Sequence, residues 1–461
     1  MPITKLFHIP KVSGTLRNRL TKLVWPIFIE TAFMMMLGIG DTFMLGGYSD
    51  YAVGAVGVVN QILNMIFLLF SVVTTGTSVL CARYLGAQDN NSMKSIVSVS
   101  IIFNILFGLV ISFGLYIFST DILQLMDLRD ELMDEAIIYM QYVGGFAFLQ
   151  AVSLTLSAIL RALQRPKYPM ISIIIINIVN IIGNYTLIYG NLGAPELGVE
   201  GAAIATIISR SISVVILLIA LFGFVLKDFR RSDILPFKWG KLKEIFDIGL
   251  PSAGELLSYS FSQVVVTYLI NVVSNEALIT RTYVSNIVMV TYLLAFAVAE
   301  GNSIFVGFLV GEKRYNAAHK TTNYALKITI IVSIIIGTII AIIGKDIVGL
   351  LTDNKEIILL TAIVVWIDIT LEVGRALNMI VIQALRAAGD YIFPVAFGAV
   401  SMWLIAVGCS YLFGISFGWG LVGIWLAFSL DENIRGWVML NRWNKRDWLT
   451  KKSNNYKGLS E

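Results

Sequence analysis

Trp25-Pro26-Ile27-Phe28-Ile29-Glu30 has a counterpart in Leu250-Pro251-Ser252-Ala253-Gly254-Glu255, and the offset of 225 positions between the two prolines persists along the chain. Gly76 and Gly86 map to Gly301 and Gly311, Leu160-Arg161-Ala162 to Leu385-Arg386-Ala387, and Pro169 to Pro394. Gly198 then maps to Gly423 and Arg210 to Arg435. An ungapped offset of this length marks an internal duplication. Composition says what is duplicated. Of 461 residues, 57% are hydrophobic and only 14% charged, and the mean hydropathy is +0.79. Soluble chains carry about a quarter charged residues, too many for this chain to match.

A helix that spans a bilayer needs about 20 mostly apolar residues. Such stretches lie near 25–47, 52–80, 95–118, 136–160, 169–190 and 199–226, and again near 246–272, 277–310, 324–344, 357–384, 391–414 and 421–440. An even number of spans per copy gives both copies the same orientation. The expected fold is therefore an all-α integral membrane protein, with twelve transmembrane helices in two six-helix lobes related by a pseudo-two-fold axis along the membrane normal. The lobes are 1–226 and 246–441, joined by a cytoplasmic linker at 227–245 and followed by a cytoplasmic tail at 442–461.

Basic residues alternate by side. One side collects Lys5, Lys11, Arg17, Arg83, Arg161, Arg231, Lys313, Arg386, Lys451, Lys452, Lys457 and others, 27 in all; the opposite loops hold Arg129, Arg281, Lys345 and Lys355. The positive-inside rule then puts both termini in the cytoplasm, in an inner (cytoplasmic) membrane. The basic excess is a topology signal, and nothing points to nucleic acid. The basic-then-apolar start has too long an apolar run for a cleaved signal peptide and reads as a signal anchor. Cys81 and Cys409 fall on different helices and read as packing residues.

With this frame in place, several motifs resemble the multidrug and toxic compound extrusion (MATE) transporters. They are Gly40-Asp41-Thr42-Phe43-Met44-Leu45-Gly46, Gly76-Thr77-Ser78, Arg83-Tyr84-Leu85-Gly86-Ala87, Leu160-Arg161-Ala162, the Asn177/Asn180 pair and Gly201-Ala202-Ala203-Ile204-Ala205-Thr206. Gly249-Leu250-Pro251-Ser252-Ala253-Gly254-Glu255 and Leu385-Arg386-Ala387-Ala388-Gly389-Asp390 extend the likeness over essentially the whole chain. The resemblance implies secondary active efflux of varied, cationic or amphipathic drugs in exchange for inward protons or sodium ions, by alternating access. It implies a chain that works as a monomer in the lipid bilayer, with no cofactor. No Gly-x-x-x-x-Gly-Lys-Ser/Thr loop occurs, in keeping with a gradient-driven mechanism. The resemblance also implies an N-lobe coupling-cation site made of Asp41 with Tyr139, Asn180, Asn184 and Thr206. Relatives often carry aspartate where Asn184 stands. One proton neutralises a lone carboxylate, whereas Na+ at Asp41 needs several placed oxygens, so the reading leans to protons. No other metal site is expected.

Charges inside a bilayer cost about 2.5–3.5 kcal/mol each on insertion scales and call for a reason. From Pro26, at a rise of 1.5 Å per residue, Asp41 lies about 22 Å into a core about 30 Å thick. Its repeat partner is Val266, so the charge exists in one copy alone, which favours function over structure. Membrane asparagines are also interhelical glue, and Asn177 and Asn180 fit either role. Glu30 and Glu255 recur at equivalent places. Both pairing with Arg161 or Arg386 and a substrate-facing acidic ring fit them. Asp368, Glu372 and Arg375 share one helical face. Glu372 and Arg375 partly neutralise each other, and Asp368 either lures cations or meets a partner on another helix. Arg210 and Arg435 read as structural, with Asp431 one turn from Arg435. Met34, Met35 and Met36 offer at most two side chains to a cavity.

Two other classes compete. A lipid-linked saccharide flippase of the same superfamily calls for a cavity rich in arginine and lysine, yet deep acids outnumber deep bases. A membrane-embedded enzyme calls for a catalytic constellation, yet the only histidines are His8 and His319, in cytoplasmic segments.

Overall fold

Hydropathy decides where helices form, and backbone hydrogen bonding decides how far they run. The computed structural model describes residues 13–230, 233–234 and 236–449. Lys5, His8, Lys11, Arg231, Lys451, Lys452 and Lys457 lie outside the described residues. The first copy holds α1 (Gly14–Gly46), α2 (Asp50–Gly86), α3 (Asn90–Ile117), α4 (Asp130–Gly144 continued by Ala147–Ala162), α5 (Lys167–Leu187) and α6 (Gly198–Val225). The second holds α7 (Trp239–Val273), α8 (Asn275–Gly311), α9 (Tyr315–Gly349), α10 (Lys355–Ala388) and α11 (Ile392–Ser416), closed by α12 (Gly420–Lys445). The described residues contain no strand. Ten of the helices, and α4 as a bent pair, are long and apolar enough to span a membrane. The twelfth, α12, carries Asp431, Glu432 and Arg435 in its middle.

The duplication survives in detail. Ser49 caps α2, accepting from the Tyr51 and Ala52 amides, and Ser274, 225 positions on, caps α8 through the Ala277 amide. Each hydroxyl satisfies a helix-end donor that nothing inside the helix can reach. Left-handed backbone recurs at the same offset: Gln88 with Lys313, Gln164 with Gly389, and Gly193 with Gly418. One feature has no apolar signature. At the span expected near 136–160, α4 bends by 44°. A π turn at Met140–Gly144 precedes the bend, and such turns, like adjacent glycines, are recognised causes of kinks.

By packing, the chain divides into two compact units. One unites the residues up to Phe28 with those from Pro251 onward, and the other is Ile29–Leu250. The sequence suggests division at 227–245, but the cuts fall inside α1 and α7, beside Pro26 and at Pro251. Residues from Trp239 are already helical. The reason lies in what the first half of α7 touches. Lys241 Nζ donates to Tyr84 Oη at 2.7 Å and to Glu244 Oε1 at 2.9 Å, and Lys238 Nζ donates to Ser95 Oγ at 2.7 Å. Phe246 meets Phe103 edge-on at 5.2 Å, Gly76 lies against the Ile245 backbone, and Gly249 lies against that of Val72. In the other unit, Gly301 of α8 faces Val24 of α1 and Arg19 lies over the Phe308 ring. Small residues at such crossings let backbones approach where lipid supplies no hydrophobic drive between helices.

Each unit has its own apolar core. That of Ile29–Leu250 includes Leu63, Tyr139, Met140, Val143 and Ala203; that of the other includes Val266, Val284, Val364, Leu371 and Trp425.

Candidate functional site

Asp41 lies in the last two turns of α1 and is half-buried. Asn184 Nδ2 donates to Asp41 Oδ1 at 2.6 Å and to Asn180 Oδ1 at 3.2 Å. Asn180 and Asn184 are one turn apart on α5, so a single helix face carries both amides. They are buried, as are Tyr139 of α4 and Thr206 of α6. Tyr139 stands beside Thr206 and Asn60 of α2, within the electrostatic reach of Asp41. The five residues suggested for the cation site thus come together in one unit. The set is a single carboxylate held by a neutral amide, with a phenol and a hydroxyl alongside.

Two further residues beside this set were not legible as such in the sequence. Asn60 carried no signal beyond being a polar residue in an apolar helix. Arg210, one turn beyond Thr206 on α6, acts electrostatically on both Asp41 and Tyr139. Its guanidinium lies 5.4 Å from the Phe67 ring centre, and its buried Nη1 has no hydrogen-bond partner. The four-residue spacing from Thr206 was the available clue.

The second copy fills the equivalent places differently. Val266 and Val364 stand for Asp41 and Tyr139, and both are fully buried core residues. Cys409, half-buried and free, stands for Asn184. The acid and the phenol thus have valine in their places in the other lobe, whereas Thr206 corresponds to Asp431.

The remaining acids go elsewhere. Arg161 Nη1 donates to Glu30 Oε1 at 2.6 Å, and the repeat-equivalent Arg386 pairs with Glu255. In the unit containing Pro251–Leu449, Trp425 Nε1 donates to Asp368 Oδ1 at 3.0 Å. Glu372 pairs with Arg375, whose guanidinium lies 5.7 Å from the Tyr292 ring centre. Arg435 pairs with Asp431 at 2.7 Å and Glu432 at 2.9 Å. Met34 and Met36 are exposed and Met35 half-buried, so no common face gathers all three. No group of three or more His, Cys, Asp or Glu able to hold a metal occurs among the described residues.

A tandem set of membrane-spanning helices, with an Asp41 cluster in one copy whose acid is valine in the other, defines a multi-pass membrane transporter. The MatE family model matches residues 26–186 and again 251–412, two stretches whose starts differ by the same 225 positions. The chain belongs to the MATE family of transporters. It is 39% identical over 432 residues to the uncharacterized transporter YisQ of Bacillus subtilis, covering 94% of this chain and 95% of that one. It is 25% identical over 452 residues to the probable multidrug resistance protein NorM of Thermotoga maritima, covering 96% and 97%. A crystal structure of MATE in the bent conformation superposes with a TM-score of 0.87 at 20% identity, over 98% of this chain and 99% of that one. That likeness is one of fold.

Proposed function

We propose that the protein is a secondary active multidrug exporter, expelling varied cationic or amphipathic compounds in exchange for inward protons by alternating access. It works as a monomer in the cytoplasmic membrane with both termini inside. Asp41 is the group that takes up the coupling ion. Tyr139, Asn180, Asn184 and Thr206 hold it in place. The observation that carries this reading is the Asn184–Asp41 hydrogen bond of 2.6 Å around the sole acid of the cluster. Its counterpart in the other copy is valine, so the acid serves no shared architectural need. A half-buried carboxylate with one amide donor can exchange a proton without dismantling its surroundings. Binding of ion and drug must each favour the opposite-facing state, because coupling is reciprocal. Related proteins named for multidrug resistance support export as the direction of travel.

The test is ethidium efflux from proteoliposomes holding the purified protein, first under a pH gradient without sodium and then under a sodium gradient without a pH difference. Efflux is expected under the first, and Asp41→Asn is expected to abolish it while eluting as a folded monomer. Gradient-driven efflux by Asp41→Asn at the wild-type rate overturns the assignment.

A further inference from the structure

The duplication provides an internal control for every charged residue in the membrane, and Arg210 departs from its control. Its equivalent, Arg435, is neutralised on its own helix by Asp431 and Glu432, at 2.7 and 2.9 Å. The matching positions on α6 are Thr206 and Ile207. The first copy therefore keeps the arginine and lacks both of its same-helix acids. The acid whose charge reaches Arg210 stands on α1 instead, as Asp41, where the second copy has Val266. Arg210 and Asp41 are not joined in an ion pair: the Asp41 Oδ1 hydrogen bond comes from Asn184. One buried nitrogen of Arg210 has no partner, and the guanidinium is steadied by the Phe67 face at 5.4 Å.

We infer that Arg210 determines the ion specificity of the Asp41 site: it is a built-in cation, split from its acid, that any incoming metal ion must displace or sit beside. A proton joins the carboxylate covalently and needs no ligand sphere. A sodium ion needs several oxygens around it and must gather them next to a fixed guanidinium, with one carboxylate to offset two positive charges. The cluster offers Asn184 Oδ1 as a buried oxygen with no partner, so oxygen is present, and the obstacle to sodium is the adjacent charge. Arg210 touches neither ion nor drug in this scheme. It is a positioning residue that decides which ion Asp41 accepts, and this rests on the proposed role of Asp41.

The test uses the full-length protein in proteoliposomes, with ethidium as the transported probe and 22Na+ as the bound probe. Wild type is expected to bind no 22Na+ above background and to respond to the pH gradient alone. Arg210→Met removes the charge and keeps an unbranched apolar stem next to Phe67. It is expected to gain saturable 22Na+ binding and sodium-driven ethidium efflux, and Asp41→Asn in the same chain should remove that binding. Arg210→Lys retains the charge and is expected to go on refusing 22Na+. Folded Arg210→Met without 22Na+ binding overturns the inference, as does 22Na+ binding by wild type or by Arg210→Lys. If Arg210→Met does not fold, the wild-type and lysine measurements still decide. Wild type that moves ethidium under neither gradient, or Asp41→Asn that moves it normally, defeats the proposed function instead, so the two failures are distinct.

Discussion

Breaking the Glu30–Arg161 pair separates the two roles that its sequence allows. The Glu30 side chain is 4% exposed and that of Arg161 18%, at an N–O distance of 2.6 Å. Removing one partner of a buried pair costs about 3–5 kcal/mol, chiefly because the other charge is left inside. Arg161→Met and Glu30→Gln should each incur a loss of that order, and the double variant should recover about 1–3 kcal/mol of the sum. Unfolding entropy of about 2.1 cal/mol/K per residue makes each kcal/mol worth about 1 °C for a chain this long, so each single loss lowers Tm by about 3–5 °C. The assay is thermal unfolding of the purified variants in detergent, read by size-exclusion survival, alongside ethidium transport at permissive temperature. Glu255 and Arg386 provide an independent replicate at the repeat-equivalent place. Losses that add to within about 0.5 kcal/mol would refute the structural reading. A rise in the ethidium KM of Glu30→Gln at unchanged Tm would instead make the acid part of a substrate-facing ring.

Other variants probe the packing and the loops. A Cβ at Gly76 would meet the Ile245 carbonyl carbon at 2.9 Å, whereas one at Gly57 meets nothing within 4 Å; Gly76→Ala should lose about 1–3 kcal/mol by overpacking and Gly57→Ala should unfold at or above the wild-type temperature. Trp425→Phe removes the indole donor to buried Asp368 and should destabilise by about 1.5–3 kcal/mol, the range for hydrogen bonds to charged groups; an unchanged Tm would mean that Asp368 is satisfied otherwise. Asp89, in the turn between α2 and α3, caps α3 through the Ser92 amide at 2.9 Å. Burial opposes its charge, but the Ser92 amide and hydroxyl and the nearby Lys241 outweigh that and hold the carboxyl below its usual range. A lowered folded-state value means that this cap stabilises above the unfolded-state pKa of about 3.9 and is lost as pH falls through the folded value. Asp89→Ala should therefore cost about 1 kcal/mol at pH 7, and the gap from wild type should narrow in thermal melts below about pH 4.

The number of helices and their pairing across the duplication were legible because spans and offset are properties of the chain alone. Their ends were not. The helix α1 begins at Gly14 and α7 at Trp239, well before the apolar stretches near 25 and 246, because a helix continues past the bilayer wherever its hydrogen bonds do. Which half-helix belongs to which unit depends on contacts such as Lys241 with Tyr84, far apart in sequence. The residues suggested for a cation site came from likeness, position by position, and the geometry brings them together in one unit. Arg210 escaped because its offset partner Arg435 suggested a shared role. What decides an arginine's role in a membrane is the residue one turn away, and there threonine replaces aspartate.

The contrast between α6 and α12 bears on synthesis. An arginine at a helix centre costs about 2.5–3.5 kcal/mol on leaving the translocon. In α12 the charge emerges with Asp431 one turn ahead of it, so the segment can enter lipid already compensated. The middle of α6 brings Arg210 alone, and the ring it lies over, Phe67, and the acid whose charge reaches it, Asp41, were made well over a hundred residues earlier. The N-terminal half must therefore hold its opening helices near the insertion site until the sixth arrives.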